Sequence, residues 1–188
     1  AEQPLSEGKM LDFSERPPLV LGITIDQMRM DYLYRYWDHF GMDGFKRIMQ
    51  NGMICADHHF GYAPTYTGPG HASIFTGTTP RFHGVISNYW YDRKLAETVY
   101  CAADPSVQTV GLDDNSIKAG QMSPHRMHAS TLGDELKLST DLKAKVYGIS
   151  LKDRGAILPA GHLADGAFWF YGKDQGKFIT STYYMDEL

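Results

Sequence analysis

The side chains best suited to chemistry are a threonine ahead of Gly-Pro-Gly, an aspartate closing an apolar run, and a lysine and arginine separated by one residue. They are Thr67, Asp26, Lys152 and Arg154. Threonine suits a helix cap and proline suits the first helical turn, so Thr65-Tyr66-Thr67-Gly68-Pro69-Gly70-His71 predicts a loop running into a helix. Free N–H groups at such a start attract an anion. A threonine hydroxyl is a weak nucleophile and needs a metal ion or a base to activate it. Asp26 is the nearest candidate metal ligand by topology. Lys152 and Arg154 follow an apolar strand, and in an extended segment both would point to one side. Arginine offers a planar fork for phosphate oxygens, and lysine a compact charge. Asn88 could add an amide donor. Each has a plainer reading: a capped helix, a turn aspartate, a solvated loop pair, an ordinary asparagine.

The elements that must hold these groups read as an α/β protein with a doubly wound, mostly parallel sheet flanked by helices and carrying hairpin insertions. Leu19–Ile25 is an apolar run suited to a strand buried on both faces. Helices are expected from Tyr32 to Phe40 and from an Asp43 cap to a Gly52 stop, with a second strand from Met53 to about Tyr62. His71–Thr76 predicts a short helix. Ser87–Cys101, turning at Asp92-Arg93-Lys94, predicts a hairpin. Ser130–Leu138 predicts a helix with Leu132 and Leu136 on one face, and Lys145–Leu151 a buried strand. Phe168–Tyr171 and Phe178–Thr182 flank Gly172–Gly176 as a second hairpin. Asp26, the Thr67 loop and Lys152–Arg154 all fall at or after strand ends, where open α/β sheets bind ligands.

Composition narrows the classes. The 188 residues carry 18 Lys plus Arg against 22 Asp plus Glu, a net charge of −4, which disfavours general binding to nucleic acid or anionic membrane. No stretch is apolar for the ~20 residues of a spanning helix. Two cysteines, Cys55 and Cys101, exclude a disulfide-rich scaffold and a four-cysteine zinc site, and their redox state stays open. Residues 1–18, polar and with Pro4, Pro17 and Pro18, are expected to form an extended N-terminal segment ahead of a catalytic region at 19–188. That start fits a mature end or a cloning boundary equally.

Asp26-Gln27-Met28-Arg29 leads into Asp31-Tyr32-Leu33, and Pro64 through His71 into Ile74-Phe75-Thr76-Gly77. Pro80, His83-Gly84, Asn88–Asp92 and Ser150–His162 follow in order. Together these blocks closely resemble the threonine-nucleophile bacterial alkaline phosphatases of the alkaline phosphatase superfamily, and its type I phosphodiesterase and nucleotide pyrophosphatase branch. The resemblance runs from about Pro18 to the last residue. It implies an alkaline-phosphatase-like fold and zinc-dependent hydrolysis of phosphate monoesters through a phosphothreonine, in a periplasmic or secreted protein. Thr67 would be the nucleophile, Asp26 and Thr67 ligands of one zinc, and Asn88, Lys152 and Arg154 contacts to the phosphoryl oxygens. The partners implied are a phosphate ester and inorganic phosphate. Sulfatases of the superfamily use Cys or Ser followed by x-Pro-x-Arg. The frame Thr67-Gly68-Pro69-Gly70-His71 lacks both the oxidisable residue and the arginine.

The family's complete site holds two zinc ions, and its other ligands lie in later segments: an Asp with a His four residues on, an adjacent Asp-His pair, and a further His. After Arg154, His162, Asp165, Asp174, Asp186 and Glu187 do not make that pattern. The expectation is therefore an N-terminal portion of a catalytic domain, with part of one zinc site and little turnover alone. Such a portion would self-associate or dock with the remainder. Asp57-His58-His59 precedes the nucleophile loop and reads as structural or surface, as do His125 and His128. His71 and His83 are expected to shape the loop around Thr67. The alternatives are a phosphodiesterase or nucleotide pyrophosphatase, and a non-catalytic phosphate-binding module.

Overall fold

A computed structural model describes residues 17–55, 57–114, 116–172 and 176–188. The expected 1–18 segment lies outside the described residues except at Pro17 and Pro18, as do Lys173, Asp174 and Gln175 at the second hairpin's tip.

The first expected helix is broken. α1 (Asp31–Arg35) ends at Tyr36, where φ −107° and ψ 17° leave the helical region, and a single 3₁₀ turn follows over Trp37–His39. α2 (Phe45–Asn51) starts from Gly44 rather than from an Asp43 cap, and Gly52 stops it as expected. Gly44 has φ +66°, a turn that glycine takes without the penalty of a Cβ. α3 (Thr67–Thr76) starts earlier than His71, with Tyr66 rather than Thr67 at the cap, and α4 (Pro80–His83) follows. β1 (Tyr89–Asp92) and β2 (Glu97–Tyr100) form the first hairpin with Tyr89 opposite Tyr100. Asp92 Oδ1 accepts from the N–H groups of Lys94 and Leu95 at its turn, at 2.8 and 3.2 Å.

β3 (Thr109–Val110) precedes α5 (Leu132–Ser139), β4 (Tyr147–Ser150), α6 (Asp153–Ala160), β5 (Gly166–Tyr171) and β6 (Lys177–Ser181). The sheet order is β3-β6-β5-β4. The α/β class is found, but the sheet is mixed. β4 and β5 pair in parallel through α6, whereas the β5–β6 hairpin returns antiparallel and β3 pairs antiparallel with β6. The two expected N-terminal strands do not form among the described residues. The 19–25 run carries no ladder, and Leu19 is 76% and Ile23 71% exposed. Apolar composition meets only the side-chain requirement of a strand; a ladder also needs a neighbour's N–H and C=O groups.

α6 anchors the molecule. Its Ala156, Ile157, Leu158 and Ala160 are buried, in one core cluster with Ala72 of α3, Ala167 and Trp169 of β5 and Ile179 of β6. Full burial of a side chain such as Ile157 contributes roughly 1.5–3 kcal/mol. α6 packs on β4, on β5 and on α3. α5 departs from the expected face: it buries Asp134 and Lys137 and leaves Leu132 exposed. A reciprocal capping box explains the inversion. Asp134 N–H donates to Thr131 Oγ1 (3.1 Å) and Thr131 N–H to Asp134 Oδ2 (2.8 Å). Asp134 Oδ1 accepts from Leu163 N–H at 2.7 Å, so the helix is pinned by its polar side.

Candidate active site

Thr67 is the first residue of α3, and its hydroxyl donates a 2.9 Å hydrogen bond to Asp26 Oδ2. Asp26 is exposed, at the end of the unpaired 19–25 run. The next residue, Gln27, has φ +61°, a left-handed conformation costing a non-glycine residue about 1–2 kcal/mol. The chain thus turns sharply just beyond the carboxylate. Behind Thr67, the Gly68 N–H donates to Asn88 Oδ1 at 2.7 Å. Because Oδ1 is taken, the Asn88 amide NH₂ is left to donate elsewhere. His71 Nδ1 donates to Thr67 O at 2.8 Å and the Tyr62 hydroxyl to Pro69 O at 3.1 Å, fixing the first turn of α3 from both sides. Asp26, Thr67 and Asn88 line one cavity of about 500 Å³.

Lys152 and Arg154 line a neighbouring cavity of about 430 Å³, with Tyr89 and Tyr100 in its wall. Asn88 lines the first cavity and its chain neighbour Tyr89 the second, and α3 and α6 pack together. The basic pair is not extended as its sequence suggested. Lys152 caps α6 in extended conformation (φ −130°, ψ 144°), while Arg154 already lies in its first turn. The acidic Asp153 favours a helix start there. Lys152 is exposed and Arg154 half-buried.

Arg154 Nη1 donates to the Tyr100 hydroxyl at 2.9 Å, and that hydroxyl donates to Asp153 Oδ1. Arg154 Nε is buried without a partner among the described residues. An orphaned donor of this kind costs about 1–3 kcal/mol, a penalty that a bound anion removes. Burial, then the Asp153 charge, pushes the Cys101 thiol up to about 12 and raises Tyr100 as well. Both groups are neutral at ordinary pH, so neither competes with an anion for the guanidinium. Tyr100 and Tyr62 were not visible as site residues in the sequence. Tyr100 reaches Arg154 across 54 residues of chain, and no local pattern encodes that meeting.

The other histidines are elsewhere. His59 and Asp57 form an exposed 2.7 Å pair. His125 lies beside Ser123 (3.1 Å) and Asp104 (3.5 Å), with the Ser123 hydroxyl donating to Asp104 and so not poised for attack. His162 packs at Asp134, with its Nδ1 3.3 Å from Oδ2.

Asp26 Oδ2 and Thr67 Oγ1, 2.9 Å apart, could occupy two adjacent positions on one zinc ion. A catalytic zinc takes three protein ligands, and no group of three His, Cys, Asp or Glu suited to a metal occurs among the described residues. These residues therefore fit part of one metal centre. No helix is long and apolar enough to cross a membrane among the described residues.

A sequence model of the type I phosphodiesterase / nucleotide pyrophosphatase family matches residues 20–186. Alkaline phosphatase PafA of Elizabethkingia meningoseptica is 52% identical over 173 residues, which are 92% of this chain and 31% of that protein. The crystal structure of wild-type PafA superposes with a TM-score of 0.89 at 51% identity, over 94% of this chain and 34% of that one. A PafA variant with a threonine replaced by serine, and an asparagine, a lysine and an arginine by alanine, superposes at 0.83 and 49% identity, over 87% of this chain and 31% of that one. The chain spans 31% of the length of PafA, and over that span it shares the alkaline phosphatase superfamily fold. By both sequence and fold, the chain belongs to the type I phosphodiesterase / nucleotide pyrophosphatase family.

Proposed function

We propose that this chain carries the nucleophile and phosphate clamp of a phosphate monoester hydrolase that works through a phosphothreonine at position 67. The observation that carries the reading is the Thr67 hydroxyl at the start of α3, hydrogen-bonded to Asp26 and backed by Asn88. The four residue types altered in the PafA variant support it: their threonine-to-asparagine and lysine-to-arginine spacings are those of Thr67 to Asn88 and Lys152 to Arg154.

Thr67 Oγ1 attacks phosphorus with its proton already directed at Asp26 Oδ2. The Oγ1–P bond forms as the hydroxyl proton passes to Asp26, the ester P–O bond breaks, and the departing alkoxide takes a proton from water. Water then attacks the phosphothreonine, releasing inorganic phosphate and restoring the hydroxyl. Asn88 NH₂, Lys152 and Arg154 hold the equatorial oxygens, where phosphoryl transfer gathers charge. Asp26 and Thr67 would hold zinc, which when bound lowers the cost of forming a threonine alkoxide. Two cations suit the extra charge of a monoester. A diesterase, the other activity in the family's description, has less use for both. Periplasmic or secreted placement is part of the same proposal and stands on the family resemblance.

Acid quench of the full chain with zinc and a ³²P-labelled monoester tests the reading. Label is expected on Thr67 and absent from Thr67→Ala. Label elsewhere, or equal label in both, overturns it. Faster turnover of a diester than of its matched monoester would favour the diesterase.

A further inference from the structure

The Tyr100 hydroxyl stands between the charges of Asp153 and Arg154. It donates to Asp153 Oδ1 and accepts from Arg154 Nη1 at 2.9 Å. The same Oδ1 also takes the Arg154 backbone N–H. Arg154 makes no direct ion pair among the described residues; the Asp153 charge acts on its guanidinium, with the neutral Tyr100 hydroxyl bridging the two. The ring reinforces the hold, with Arg154 Cζ 5.8 Å from its centroid. Nε remains buried and unpartnered.

The hairpin that supplies Tyr100 also connects to the nucleophile. Asn88 directly precedes β1, Tyr100 ends β2, and Cys101 N–H donates to Asn88 O at 2.9 Å. The Tyr89 and Tyr100 rings pack at 4.8 Å. Cys101 Sγ lies against Gly68, where an added Cβ would be 3.2 Å from it. One rigid hairpin end therefore touches the start of α3 and the start of α6 together.

We infer that Tyr100 is a positioning residue, one that aims the Arg154 guanidinium at the phosphoryl group while bridging it to the Asp153 carboxylate. This deepens the proposed function and rests on Arg154 being a phosphate ligand. Losing one charge-assisted hydrogen bond on the guanidinium converts to about a tenfold effect.

The test is a double-mutant cycle in the full chain with Tyr100→Phe, Arg154→Ala and both together. Inorganic phosphate affinity by ³¹P NMR and kcat/KM for matched monoester and diester substrates are measured, with thermal melts to verify folding. Tyr100→Phe is expected to weaken phosphate binding and monoester turnover about tenfold, with a smaller loss on the diester. On the Arg154→Ala background it is expected to change nothing. An equal loss on both backgrounds, or no loss in the single variant although Arg154→Ala weakens phosphate, overturns the positioning role alone. Unchanged phosphate affinity in Arg154→Ala removes the clamp itself, and the inference with it.

Discussion

Thr67 Oγ1 and Asp26 Oδ2 meet at 2.9 Å across 41 residues of chain, one at a helix start and the other after an unpaired apolar run. A surface hydroxyl–carboxylate contact adds little stability by itself. Its proposed value is chemical: the acceptor of the hydroxyl proton is the carboxylate assigned above to zinc. Asp26→Asn keeps the shape and removes the anion. Zinc affinity, read by competition with a chromophoric chelator, is expected to fall by 10-fold or more, with phosphothreonine formation falling alongside. The melting temperature should barely move, since Asp26 is exposed. Unchanged zinc affinity would remove Asp26 from the ligand set.

Gly68 couples the nucleophile to the amide behind it. A Cβ there would lie 3.1 Å from Asn88 Oδ1, 3.2 Å from Cys101 Sγ and 3.3 Å from Ser87 O. Cys101 is buried and the Ser87 contact is backbone, so neither can swing away freely. Gly68→Ala is expected to cost about 1–3 kcal/mol of stability in urea unfolding. By displacing Asn88 it should also weaken inorganic phosphate binding. Full phosphate affinity in the folded variant would show that the Asn88 amide does not need this contact.

Local chemistry made several elements legible. The first hairpin was announced by aromatic and β-branched residues around Asp92, which caps its own turn. The β5–β6 hairpin follows from short apolar runs flanking Gly172–Gly176, and β4 from the apolar run that ends at Lys152. Ladders were less legible. Leu19–Ile25 has the composition of a central strand, but composition names no partner. The inverted face of α5 was hidden for a different reason: Asp134 is held by four separate groups, including His162 and Leu163 far along the chain. In the site, residue types marked Thr67 and Arg154, whereas Tyr100 becomes meaningful only once the hairpin is folded against α6.

Asp165 ties the strand before α6 to α5. It accepts from Lys137 Nζ and Lys145 Nζ, each at 2.8 Å, and from Val146 N–H at 2.9 Å. Burial opposes its charge, but the two lysines and the N–H overcome that and hold its carboxyl well below the usual range. The lysine side chains differ in exposure, 9% for Lys137 against 67% for Lys145. Asp165→Ala strands the buried Lys137 charge and is expected to cost about 3–5 kcal/mol in urea unfolding. Lys145→Ala should cost about 1 kcal/mol or less. Equal losses would mean that exposure does not govern this pair of contacts.

His83 should make the fold sensitive to mild acid. It is 0% exposed, Val85 N–H donates to Nδ1 at 3.2 Å, and Nε2 meets Ser73 Oγ at 2.9 Å. With Nδ1 accepting, the neutral ring carries its proton on Nε2 and donates to the serine. Burial lowers its pKa from 6.5 to about 4. Between those values the unfolded chain binds a proton that the folded one refuses, so stability must rise with pH across the window. The contribution is complete above about 6.5 and is lost as pH falls toward about 4, amounting to about 3 kcal/mol. His162 acts with the opposite sign. Its hydrogen bond to Asp134 raises its pKa, so its contribution is present below 6.5 and fades as pH rises through the raised value. Urea midpoints from pH 4 to 8 in wild type and His162→Gln would separate the two: the acid loss below about 6.5 is expected in both, and the decline above 6.5 only in wild type. NMR titration of the His83 ring gives a direct reading: no titration above about pH 5 is expected, and a midpoint near 6.5 would end the case for acid sensitivity at this site.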